Sequence, residues 1–422
     1  VNAVGHHPGT STVSRRAVIP LLRRLRSAEG TANPRPVWAA LHELGDVVPA
    51  PWGGYFVVGF DACDEVLRGR KWRSTDFDWQ QRQDNPERWS DLATREMTRT
   101  LPRLNAPAHT CQRRAVGTPF DRASLETLSP MIAALVSSLL DELEAEIRAE
   151  GHADFMRVVG EQLPALSVGE WIGIDRADHA HLLDFTHRQV YAQELLPTRS
   201  QLAVSEQATL EMREFFTRLI RERRARPGDD ALTQWIAHFD ALSAGDRAAA
   251  DQVIYDLTMF VTIASLETSA VLLGNTVHLA TSDPARAAWL AAQPEHIAST
   301  VEEALRWDAP ISINSRVASE DLVLAGVPIP RDTTVHVMYG AAAHDPRRNP
   351  DPDTFDPLRR GGHLSFGGGP HYCLGAGLAR LEAQELLGQV LKRFPTLRAV
   401  TPPVFDDTRL VFRRLVSLDV QI

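Results

Sequence analysis

Cys373 stands in a run suited to close backbone approach, Phe366-Gly367-Gly368-Gly369-Pro370-His371-Tyr372-Cys373-Leu374-Gly375-Ala376-Gly377. Glycines let a main chain come near a bound group. Leu374, Leu378 and Leu381 recur at i, i+4 and i+7, which predicts a helix whose positive end faces the sulfur. That field and the neighbouring amides favour thiolate over thiol. A thiolate in a flat, glycine-lined loop suits a metal carried by a planar cofactor. Haem is the candidate, because a thiolate ligand pushes electron density onto iron and favours O–O cleavage. A lone cysteine is more often a small buried hydrophobe, so other spaced residues must decide between the two.

Three further groups have useful spacing. Ala264-Ser265-Leu266-Glu267-Thr268 lies in the middle of a long apolar stretch. A carboxylate there is costly unless satisfied. The threonine can bond the carbonyl one turn back and loosen the helix. Such a pair can hold a water and do general acid work. Glu303 and Arg306 sit at i and i+3 on one helical face, a pair worth little if exposed. His109 and Arg113 sit at i and i+4, also on one face, where cationic groups suit a carboxylate.

Taken in order, these groups resemble the cytochrome P450 family. The cysteine loop matches Phe-Gly-x-Gly-x-His/Arg-x-Cys-x-Gly at Phe366, Gly367, Gly369, His371, Cys373 and Gly375. The long-helix motif matches at Ala264, Glu267 and Thr268 and departs at Ser265, where the family usually has Gly. The resemblance runs from about residue 46 to the C-terminus. It implies a mainly α fold: one large helical domain over 17–422 with a small β-sheet region, after a flexible tail over 1–16. It implies haem b, with Cys373 as the iron ligand and Thr268 and Glu267 managing protons on the distal side. It places the propionates at His109, Arg113, Arg316 and His371. Ala264, Phe366, Gly367 and Gly375 then line the cofactor. Glu303, Arg306 and Arg359 form a structural ion network. The substrate pocket draws on the 74–100 loop and on Phe260, Ile263, Ser312, Ile313 and Asn314. Arg113, Arg114, Arg359 and Arg360 are candidates for a basic patch that steers an acidic partner.

The implied activity is oxidation of a small organic molecule with O2, by C–H hydroxylation or oxidative C–C or C–N coupling. The polar, indole-rich 74–100 loop leans towards a natural-product substrate. Electrons are expected from NAD(P)H through a ferredoxin and a ferredoxin reductase. A peroxide-driven peroxygenase and a haem-binding sensor or carrier without turnover share Cys373, but neither calls for Glu267 beside Thr268.

The whole chain fits this class. Its 422 residues are 44% hydrophobic and 23% charged, with a formal net charge of −9. That balance argues against nucleic-acid binding, which calls for a basic patch. Three cysteines make no disulfide framework and point to a reducing compartment. The apolar run after Ser14-Arg15-Arg16 is cut short by Pro20 and Arg23, so a cytoplasmic monomer without a membrane anchor is expected. Residues 17–28 are read as a short basic helix or a lead-in. Strands are expected at 46–49 and 55–59 around Trp52-Gly53-Gly54, and at 322–325 and 333–339. Helices are expected at 61–68, over 248–280 and at 374–393, with the 74–100 stretch irregular.

Overall fold

The longest helix, Arg247–Thr281, sets the plan of the molecule. Asp246 caps it by accepting from the Ala249 amide at 3.1 Å, and Asp283 and Pro284 open the next helix just beyond its end. It is apolar nearly all round and mostly buried, as a core helix must be. The computed structural model describes residues 13–83, 89–117 and 120–422.

The elements that position the site are, in chain order, helices α1 (Phe60–Arg68), α2 (Leu92–Met97), α3 (Ala108–Gly117), α4 (Arg122–Glu150), α5 (Gln162–Ile172), α6 (His179–Gln189), α7 (Arg199–Ala225), α8 (Arg247–Thr281), α9 (Ile297–Trp307) and α10 (Ala376–Arg393). The main sheet has strands β1 (Val47–Pro49), β2 (Tyr55–Val57), β3 (Trp72–Arg73), β4 (Ile313–Ala318) and β5 (Thr334–Met338). Their spatial order is β1-β2-β5-β4-β3. β2 runs parallel to β5, with Phe56 opposite His336; the other pairings are antiparallel. Helix α8 packs against α5, α6, α7, α9 and α10 and fills the main core. A second core lies between the sheet and α1, around Val57, Cys63, Val335 and Tyr339.

The fold is the mainly helical one expected, with small sheets. The Val47–Val57 hairpin, α1, α8 and the 322–324 and 334–338 strands fall within one or two residues of expectation. Three details differ. The 74–100 stretch is not wholly irregular: Phe77–Gln81 and α2 are helical, because Asp76 and Asp91 cap them by accepting from the Trp79 and Thr94 amides, each at 2.9 Å. The basic helix spans Arg15–Leu25 rather than 17–28, since Ser14 caps it. Of the expected tail, residues 1–12 lie outside the described residues, and the rest leads directly into that cap. Helix α10 begins at Ala376, not at residue 374, which leaves Leu374 and Gly375 in a turn beside the cysteine.

Candidate haem-thiolate site

The cysteine loop is closed by its own backbone. The Cys373 amide donates to the Phe366 carbonyl at 2.8 Å, and the Gly367 amide to the Leu364 carbonyl at 2.7 Å. Gly367 and Gly369 have φ of 70° and 61°, the left-handed region that favours glycine. At Gly369 a Cβ would also lie 2.5 Å from the Leu67 carbonyl oxygen, so the loop can lie on α1 only without a side chain there.

Burial pushes the Cys373 thiol above its ordinary value, while the Gly375 and Ala376 amides and the Arg113 and Arg380 guanidiniums pull towards thiolate. These donors are the turn and the first residue of α10, so the helix end does face the sulfur. Without a metal the net effect favours the thiol, whereas a thiol deprotonates outright once coordinated.

Around the loop, cationic and imidazole groups converge from three elements, with no anion paired to them among the described residues. Arg316 on β4 is 5% exposed and is bonded only to the Asn314 side chain at 3.2 Å and the Ser315 carbonyl at 2.8 Å. It makes no ion pair among the described residues. His109 on α3 is 5% exposed, and its buried Nε2 has no partner among them. Its ring lies 4.1 Å from that of His371. Burial, then Arg316, His109 and Arg113, hold His371 down to about 3. A buried unpaired guanidinium is strongly unfavourable. A group carrying carboxylates beside the sulfur would relieve all four residues, and haem is such a group. The residues present fit it.

The loop is braced from behind. Arg306 donates to both Glu303 oxygens, at 2.7 and 2.8 Å, and Arg359 reaches Glu303 at 3.2 Å. Carbonyls of Ala343, Pro350, Pro352, Asp351 and Thr354 take the remaining guanidinium hydrogens. Arg359 is therefore committed to Glu303, and of the four arginines considered for a basic patch Arg114 and Arg360 are the exposed ones. Sequence reasoning missed a second brace. Arg380 donates to Glu302 at 2.6 and 2.8 Å, His363 reaches Glu302 at 3.1 Å, and Arg380 lies 4.4 Å over the Phe366 ring. Although burial opposes it, Arg380 and His363 hold the Glu302 carboxyl at about 2. Glu302 directly precedes Glu303 in sequence, and that adjacency is the signal that was available.

On α8, Phe260, Ala264 and Thr268 keep accessible surface at i, i+4 and i+8, while Val261, Thr262, Ile263, Leu266 and Glu267 are buried. These three residues form one stripe along the helix. The Thr268 hydroxyl donates to the Ala264 carbonyl at 2.6 Å, the bond expected of it. Glu267 turns away from Thr268. It is paired with Arg409 and accepts from His187 Nδ1 at 3.1 and 3.2 Å. Against the effect of burial, His187 and Arg409 hold its carboxyl at about 2. His187 and Arg409 carry no local sequence signal.

The remaining pocket residues divide. Ile263 and Ile313 are 1% and 3% exposed and lie in the main core. Ser312 holds strand edges through its backbone, to Val411 and Tyr339, each at 2.8 Å. The Asn314 amide donates to the Tyr339 hydroxyl at 3.2 Å and its oxygen accepts from Arg316, so Asn314 orients the Arg316 guanidinium.

Comparison with known proteins agrees with this geometry. The profile of the family described as Cytochrome P450 matches residues 296–416. Cytochrome P450 107B1 of Saccharopolyspora erythraea is 35% identical over 74% of this chain and 73% of its own. The polyketide biosynthesis cytochrome P450 PksS of Bacillus subtilis is 32% identical over 75% of this chain and 76% of its own. Among solved structures, CYP164A2 of Mycobacterium smegmatis superposes with a TM-score of 0.83 at 27% identity, covering 96% of this chain and 100% of that one.

Proposed function

The chain belongs to the cytochrome P450 family as a haem-thiolate monooxygenase of the bacterial type, and from that premise we propose that it oxidises a natural-product scaffold of the polyketide class, in the cytoplasm, by C–H hydroxylation. The observation that carries the haem reading is the convergence of the unpaired Arg316 and the orphaned His109 nitrogen beside Cys373. The substrate class rests on the polyketide role in PksS's name.

Bound haem supplies the chemistry of thiolate-supported O2 activation. The protein's own residues do the rest. Cys373 would hold the iron, and the Gly375 and Ala376 amides would stabilise its thiolate charge. Arg316 and Arg113 would pair with the carboxylates of bound haem, and His109 and His371, kept neutral by burial and the nearby cations, would hydrogen-bond to them. The Thr268 hydroxyl donates to the Ala264 carbonyl, which leaves its oxygen free to accept from a water that would carry protons to the distal side. Glu267, held as an anion by His187 and Arg409, must accept a proton before it gives one. Electrons arrive from NAD(P)H through a ferredoxin and its reductase, with the exposed Arg114 and Arg360 offering positive charge to an acidic carrier.

The test is a screen of macrolactones and linear polyketides for a high-spin shift of the Soret band, followed by product analysis with surrogate ferredoxin. A hydroxylated product supports the reading. A coupled product keeps the class and changes the reaction. No shift with any polyketide, but one with an unrelated class, overturns the substrate assignment.

A further inference from the structure

The N-terminal helix, Arg15–Leu25, gathers positive charge on an acidic molecule. The first 28 residues hold five arginines and no Asp or Glu, in a chain of formal net charge −9. Arg16, Ile19, Arg23 and Arg26 recur at i, i+3, i+7 and i+10, which puts them on one stripe with Arg15 beside it. All five arginines are exposed. Arg24 pairs with Glu29 at 2.8 Å, whereas Arg15, Arg16, Arg23 and Arg26 make no ion pair among the described residues.

Stability does not account for this arrangement. Arg23 and Arg24 in the last turn suit the negative end of the helix dipole, but Arg15 and Arg16 stand in the first turn, where the dipole opposes cations. Packing does not call for them either. The buried side chains are Val18, Leu22 and Leu25, and the helix packs on β1 and on the helix Arg35–Leu44. It is also held in place. Ser14 caps it by accepting from the Arg16 amide at 3.2 Å, and just beyond its end Arg413 donates to the Thr31 carbonyl at 2.7 Å. The basic stripe is a fixed surface.

The residues among the arginines narrow what fits it. Ala17 and Pro20 are exposed, and Ile19 and Leu21 are half-buried. Guanidiniums on long stems beside apolar side chains match phosphates above a hydrocarbon boundary. The β1–β2 hairpin adds an indole: Trp52 in its turn stays 43% exposed although its Nε1 donates to His336 at 3.2 Å. Tryptophan and arginine together suit the headgroup layer of a bilayer, whereas an acidic protein would answer the arginines alone.

We propose that Arg15, Arg16, Arg23 and Arg26, with Trp52, form a docking surface for the phosphate headgroups of an anionic lipid bilayer. The contact is peripheral, because Val18, Leu22 and Leu25 are committed to the fold and the helix lies on the surface without inserting. Neither the cysteine loop nor the distal residues take part, so the proposal stands apart from the haem-thiolate reading.

The experiment sediments the full-length, haem-loaded protein with vesicles of phosphatidylglycerol and phosphatidylcholine, and with vesicles of phosphatidylcholine alone. The protein is expected to bind the mixed vesicles only, and to be released by salt. Combining Arg15→Gln, Arg16→Gln, Arg23→Gln and Arg26→Gln should weaken binding by at least about a hundredfold, at about fivefold per arginine. An equal change of charge at exposed arginines on other elements, Arg70→Gln, Arg221→Gln, Arg226→Gln and Arg247→Gln, should weaken it by less than about threefold. No binding of the unmodified protein to mixed vesicles at low salt overturns the proposal, and so does an equal loss in the two variants. Binding to soluble polyglutamate with none to vesicles assigns the surface to an acidic protein and overturns the lipid. The reduced, carbon monoxide-bound spectrum of the helix variant should match that of the unmodified protein, so a failure of the haem-thiolate reading would show there and not in the sedimentation.

Discussion

At the scale of residues, the account turns on charges that lack partners or have unexpected ones. Arg316→Gln removes the buried cation that would meet a propionate, so haem should leave the protein at least about tenfold faster, measured by transfer to excess apo-globin. A loss rate equal to wild type would remove Arg316 from the cofactor's anchors. Thr268→Ala should lower product formed per NADH by about tenfold or more, because the hydroxyl that would position a proton-delivering water is lost. Unchanged coupling would refute its distal role. Cys373, His371, His109 and Thr268 could be picked out in the sequence because each sits at a fixed offset within one loop or helix. Arg409 and His187 could not, since they meet Glu267 across separations of 142 and 80 residues. Only the fold brings such groups together, and it turns a carboxylate read as a proton donor into a held anion.

At the scale of elements, the braces behind the loop should carry stability rather than turnover. Glu303→Gln leaves Arg306 and Arg359 buried without their carboxylate, at a cost of about 3–5 kcal/mol in a denaturant titration. Glu320→Gln, at the exposed pair with Lys71, should cost less than about 1 kcal/mol. Equal effects would contradict the burial argument. On α10, burial raises the Glu382 carboxyl to about 7, against bonds from Ser167 and Ser269. Its folded value lies above its ordinary 4.5, so the native state keeps a proton that the unfolded chain has lost. Stability should therefore fall as pH rises from about 4.5 to 7, by at most about 3 kcal/mol, and then level off. Urea midpoints of Glu382→Gln over this range should lack that slope; retention of the slope would assign it elsewhere. The long helices and the hairpin were legible because period and caps act locally. The Phe77–Gln81 helix and α2 were obscured because their caps, Asp76 and Asp91, stand in a polar stretch with too few turns for a period to show.

For the whole molecule, acid stability should follow the carboxylates held low by their partners. Glu267 and Glu302, each at about 2 against an ordinary 4.5, and Asp345, at about 2 against 3.8, lie below their unfolded values. Their contribution is complete above pH 4.5 and is lost as pH falls towards 2. Calorimetry from pH 6 to 3 should show a steep acid limb below about pH 4.5, and a flat profile there would deny these pairs a role. The architecture itself was legible because motifs in a fixed order fix which helix carries which part of the site. The bonds of Arg213 and Tyr255 to the buried Glu96 were not, since the three residues come from separate elements. All of this depends on one ligand. The most direct measurement is the absorption difference spectrum of the dithionite-reduced protein with and without carbon monoxide, for wild type and Cys373→Ser. A strongly red-shifted Soret band in the wild type that vanishes in the variant is the predicted result. A band at the position of histidine-ligated haem in the wild type, or one that persists in Cys373→Ser, would contradict the account.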